Sequence, residues 1–153
     1  MATGSNSGGL SDIAALQEAI VRSAISDLAK FPRDSSDCGV QWKRIVINLE
    51  ARWDGSETET SVISFGVVEG TDGSLRKSSF RLSENSHSLF QQLATMMKAR
   101  DGAYWSVVDL VINASGEFSF VFSHEPPYRL DGHLHDTRFA DYLQRYAAER
   151  VEE

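Results

Sequence analysis

The residues whose types and spacing could do chemistry are few, and most lie late in the chain. His133-x-His135-Asp136, with His124-Glu125 shortly before it, is the one cluster of ligand-type side chains. Two histidines two apart can share a face of an extended segment, as two ligands of a zinc site would. Such a site needs a third or fourth ligand at defined geometry, and no spacing marks one. The plainer reading is a polar loop leading to a helix cap at Asp136. His124 with Glu125 could move a proton only beside a cleft that binds substrate, and no motif for such a cleft is visible. Cys38 is the single cysteine, and no nucleophile signature accompanies it. Glycines fall at turns and strand ends (Gly39, Gly55, Gly66, Gly70, Gly73, Gly102, Gly116, Gly132), so no phosphate-cradling loop forms and no nucleotide cofactor is expected. These residues assign no catalytic, metal or cofactor site. They define only an alternative, a small enzyme built on His124, Glu125 and the stretch from His133 to Asp136.

Binding is the stronger expectation. Asp54, Glu57, Glu59, Glu69 and Asp72 gather in and beside two turns, and Glu125, Asp131 and Asp136 fall in one irregular stretch. They are either solvated loops or an acidic face that meets a basic partner. Trp53 and Tyr128, if exposed, would anchor an interface, because aromatic side chains concentrate binding energy. The candidate partner-binding set is therefore Trp53, Asp54, Glu57, Glu59, Glu69, Asp72, Glu125, Tyr128 and Asp131. A formal net charge of −7 argues against direct binding to nucleic acid or an anionic membrane. Met96-Met97, at helical spacing with Phe90 and Leu93, reads as core filling.

The elements that must position these residues follow from periodicity. Tyr104 to Glu125 contains two period-two runs, Val108-Leu110-Ile112 and Phe118-Phe120-Phe122. A three-residue loop at Ala114, Ser115 and Gly116 sets Ile112 opposite Phe118, Leu110 opposite Phe120 and Val108 opposite Phe122. Ile13, Leu16, Ile20, Ala24 and Leu28 mark a first helix starting at Ser11 or Asp12 and ended by Pro32. Trp42 to Trp53 reads as a first strand with Ile45, Ile47, Leu49 and Ala51 inward. Thr58 to Val68 reads as a second, with Ile63, Phe65 and Val67 on its inner face, and the polar Leu75 to Leu82 as an edge strand. Ser83 caps a second helix closed at Asp101-Gly102, and Asp136 caps a third whose buried side is Phe139, Tyr142, Leu143 and Tyr146.

The order α-β-β-β-α-β-β-α, linked mostly by short turns, predicts an α+β fold with an antiparallel sheet of about five strands and helices mainly on one face. With 153 residues, 41% hydrophobic and 24% charged, one globular domain is expected over 11–150, behind a flexible tail over 1–10. Met1 to Gly9 lacks the basic and apolar regions of an export signal, and no run of about twenty apolar residues occurs. Together with the single cysteine, this predicts a cytoplasmic protein.

Taken together, the N-terminal helix, the Trp42-led meander, Ser88-Leu89-Phe90-x-x-Leu93-x-x-Met96-Met97 and the Trp105-x-x-Val108-x-Leu110-x-Ile112-x-x-x-Gly116-x-Phe118-x-Phe120-x-Phe122 run resemble the YezG-like family. These are small intracellular bacterial proteins that confer immunity to polymorphic toxins, many of them nucleases. The resemblance spans roughly Trp42 to Glu125. Where family members follow the aromatic strand with a tyrosine and an acidic residue, Ser123-His124-Glu125-Pro126-Pro127 stands here, which bears on the partner more than on the fold. The resemblance implies an immunity protein that silences a cognate toxin, expected to be a basic nuclease acting in the cytosol, by stoichiometric occlusion. An adaptor or chaperone for a secreted effector is the alternative within the binding class.

Overall fold

The structure, a computed structural model, describes residues 10–37, 40–54, 57–133 and 136–151. Helix α1 spans Leu10–Lys30, β1 Trp42–Asp54, β2 Glu57–Glu69, β3 Leu75–Ser79, α2 Glu84–Asp101, β4 Val107–Asn113, β5 Phe118–Ser123 and α3 Tyr142–Val151. The five strands form one antiparallel sheet in the order β3-β2-β1-β4-β5, so β1 is central. This is the expected α+β architecture. The β4–β5 register is also the expected one, with Ile112 opposite Phe118, Leu110 opposite Phe120 and Val108 opposite Phe122. Gly116 closes that turn at φ 101°, a conformation that strains any residue with a Cβ.

Because the sheet pleats with period two, β1 serves two layers. Ile45, Ile47, Leu49 and Ala51 face α1 and α2, joined by Val108, Leu110 and Ile112 of β4. The expected stripes close this layer: Ile13, Ile20, Ala24 and Leu28 from α1, and Phe90, Leu93 and Met97 from α2. A buried polar staple fixes the two helices to each other. Asp27 of α1 accepts from the Ser83 backbone N–H (3.0 Å) and from Ser86 Oγ (2.6 Å), while Ser83 Oγ caps α2 by accepting from the Ser86 N–H.

The other face holds a second, smaller core of Val46, Phe65, Val67 and Tyr146, bordered by Ile63, Phe139, Tyr142 and Leu143. This corrects the expected face of β2. Ile63, Phe65 and Val67 point toward α3, and the residues paired with β1's main-core row are Thr60, Val62, Ser64 and Gly66. The small residues let α1 approach closely, for a Cβ on Gly66 would stand 2.8 Å from Leu28 Cδ2. A further correction concerns the last helix. It starts at Tyr142 and not at Asp136, whose carboxylate is engaged elsewhere. The strand read over Leu75 to Leu82 ends at Ser79, after which Phe80 makes one bridge to Pro32. Among the described residues no helix is long and apolar enough to cross a membrane. The tail over 1–9 lies outside the described residues.

Candidate functional site

The second face of β1 carries Arg44, Val46, Asn48, Glu50 and Arg52, and because α3 and the segment before it cover this face, its polar members must find partners. Glu50 is 0% exposed at the middle of the sheet. Its Oε1 accepts from the backbone N–H groups of Arg129 (2.7 Å) and Leu130 (3.0 Å). Its Oε2 lies 3.3 Å from Arg138 Nη2 and 3.5 Å from Arg129 Nη1. Arg129 donates further to Ser61 Oγ and to the carbonyls of Asn48 and Ser61. Asp136, also buried, pairs with Arg129 at 2.7 Å and with Arg138 at 2.5 Å. The Arg138 guanidinium, helped by Arg129, holds the Asp136 carboxyl well below the usual carboxylate range although its burial works the other way.

Two carboxylates and two guanidiniums thus fasten an irregular segment to the sheet. Outward, that segment presents a small aromatic and charged surface. Tyr128 is 38% exposed, stacks on His133 with ring centroids 4.3 Å apart, and has the Arg138 guanidinium 4.9 Å from its centroid. Asp131 binds Arg52, which also pairs with Glu59 at 3.4 Å. Glu125 is exposed at the start of the segment, its backbone carbonyl held by Ser106 Oγ.

Of the candidate binding residues, Glu59, Glu125, Tyr128 and Asp131 are carried by this segment or by the strand end that supports it. Trp53 is not an exposed anchor. It packs against the main core, stacks on Tyr104 at 4.8 Å, and donates its indole N–H to the Trp105 carbonyl. Asp54 and Glu57 pair through their backbones at the β1–β2 turn, but their side chains lie outside the described residues. Glu69 and Asp72 sit at the far end of the same hairpin, a thirteen-residue strand away, which is roughly 40 Å of extended chain. There Glu69 meets Lys43 at 3.7 Å and Asp72 folds its own turn by accepting from the Ser74 N–H and hydroxyl. One continuous acidic face is therefore not what these residues make.

The histidine cluster is also dispersed. His124 is exposed past the end of β5, His133 is taken up by Tyr128, and Asp136 by its two arginines. His135 and Cys38 lie outside the described residues. Among the described residues no group of three or more His, Cys, Asp or Glu side chains gathers in a way that could hold a metal ion. A cleft of about 520 Å³ between the end of α1 and the start of β1 is lined by Ile25, Leu28, Ala29, Trp42, Lys43 and Ala114 among others, and no paired acid and base faces it. Met97 is buried in the main core and Met96 packs against it, as their spacing suggested.

Sequence reasoning missed the Glu50–Arg129–Asp136–Arg138 network. Its one advance signal was the run of polar residues alternating along a strand that turns out to be central, a place where uncompensated charge does not survive. No family model matches this chain, and no curated protein matches its sequence.

Proposed function

We propose that this chain is an immunity-type binding protein that silences a basic toxin domain in the cytoplasm by stoichiometric occlusion, using the segment from His124 to Arg138 as its principal contact. One observation carries the choice of surface. A stretch that, among the described residues, has no helix or strand is locked to the sheet by an ionic network around the buried Glu50 and Asp136 carboxylates, and it shows solvent Tyr128, stacked on His133, with Glu125 and Asp131 exposed in the same stretch. A buried network of this kind contributes little net stability but fixes geometry. A loop fixed before binding loses less conformational entropy when it binds. An exposed aromatic in a stretch that also exposes Glu125 and Asp131 suits a basic protein partner, with the net charge of −7 speeding capture. The likeness to the YezG-like family, drawn from the hairpin and the second helix, supplies the toxin as partner.

The test is recovery of the tagged chain from its source bacterium at low salt, identification of stoichiometric partners, and nuclease assay of each with and without the chain. The expected result is a toxin-like domain whose activity disappears on complex formation. A partner that stays active in the complex would support the adaptor or chaperone reading instead.

A further inference from the structure

The two edges of the sheet are treated differently. The β3 edge is guarded: the Arg33 N–H donates to the Ser79 carbonyl, the Arg81 N–H to the Phe31 carbonyl, Arg76 and Ser78 are bound by Asp37, and Lys77 is charged. The β5 edge, Phe118-Ser119-Phe120-Val121-Phe122-Ser123, has no charge, no proline and, among the described residues, no covering strand. Natural sheets rarely leave such an edge open.

The phase of the ladder shows what that edge offers. The Asn113 N–H donates to the Glu117 carbonyl, while the Ala114 N–H donates to Lys43 and the Ala51 N–H to Ser106. Odd residues of β4 therefore bond toward β5 and even ones toward β1, so Ser119 and Val121 spend their backbone groups on β4. Phe118, Phe120 and Phe122 aim theirs at the open edge. Their rings form a row on the α1/α2 face, Phe118 edge-on to Phe120 at 5.9 Å and Phe120 stacked on Phe122 at 6.0 Å. Phe118 is 38% exposed, and Val121 on the opposite face is 59% exposed.

We infer that this edge pairs with the β5 edge of a second copy of the chain, antiparallel, with the two-fold axis at Phe120. In that register Phe120 faces Phe120 and Phe118 faces Phe122, and each of these pairs is one whose backbone groups already point outward. The two phenylalanine rows become one continuous row, and Ser119 stands beside Val121 of the other copy. Self-pairing is favoured over a foreign strand because the segment is its own complement about that residue. In a chain of net charge −7 it also lacks the like charges that would repel a copy. The inference is independent of the proposed toxin partner.

Sedimentation equilibrium over roughly 1 to 300 μM covers the range in which an edge pairing smaller than a standard interface should dissociate. The expected mass rises from 17.0 kDa toward twice that value. In the concentrated sample, exchange at the Phe118, Phe120 and Phe122 amides should slow at least tenfold. Val121→Lys, an exposed position, should stay monomeric with an unchanged circular dichroism spectrum, because it sets two like charges across the axis. Ser119→Lys should do the same should the first variant fold poorly. A wild-type mass of 17.0 kDa throughout, or association that both variants retain while those amides exchange freely, would overturn the inference. So would protection of those amides by a foreign protein alone.

Discussion

A fully buried carboxylate at the middle of a sheet has to be met by donors, and Glu50 is met by two backbone N–H groups and two arginines. Removing it should leave the backbone N–H groups of Arg129 and Leu130 unpaired and take from the nearly buried Arg129 guanidinium one of its two carboxylates. Glu50→Ala is expected to cost about 3–5 kcal/mol in urea unfolding, and a loss under about 1 kcal/mol would mean the network is not a unit. The pH dependence has a fixed sign. Asp136 is held below its ordinary value of 3.8 chiefly by Arg138, and Asp37 chiefly by Arg76, so both are more acidic in the folded chain than in the unfolded one. Their contribution is fully present above about pH 3.8 and is lost as pH falls through the lowered folded values. Urea midpoints of the wild type should therefore fall as pH drops below 4, and the gap between wild type and Asp136→Asn should narrow over the same interval. A gap independent of pH would contradict the ion pairing. The sequence did not disclose this network because Glu50 and Asp136 are 86 positions apart, and an aspartate before an apolar stripe has the same local pattern whether it caps a helix or pairs with a buried arginine.

At the scale of elements, legibility followed the number of faces an element buries. The β4–β5 hairpin was readable to the residue because its three-residue loop admits one register and its apolar side chains alternate cleanly. The α1 and α2 stripes, the Ser83 cap and the Gly102 stop were readable for the same reason. β2 was misassigned because it is covered on both sides, with Val62 on one face and Ile63, Phe65 and Val67 on the other, so the richer row looked like the main core when it faces α3. The row that does face the main core is small because Leu28 needs the room over Gly66. Gly66→Ala should cost about 1–3 kcal/mol by overpacking. In a Leu28→Ala background that cost should largely vanish, and a double-mutant cycle in urea reads the difference directly. Gly116→Ala meets open space and should cost about 1–2 kcal/mol through backbone strain alone, whether or not Leu28 is present.

For the whole molecule, the proposed contact lies at the end of the sheet where the Glu50 and Asp136 ion pairs hold the segment from His124 to Arg138, and not at the far turn that carries Glu69 and Asp72. The net charge of −7 requires that capture of a basic partner slow with ionic strength, by roughly tenfold between low and physiological salt. Reversing Glu59 and Asp131 together should remove part of that slope, since both flank Arg52 beside the segment. The most direct measurement is an equilibrium titration of the protein recovered with the tagged chain against wild type, Tyr128→Ala and Asp72→Lys. Tyr128→Ala should weaken binding by at least about thirtyfold, the loss of an aromatic hot spot, while Asp72→Lys at the far turn should stay within about twofold of wild type. Loss of binding with Asp72→Lys and full binding with Tyr128→Ala would place the interface at the opposite end of the sheet and contradict it.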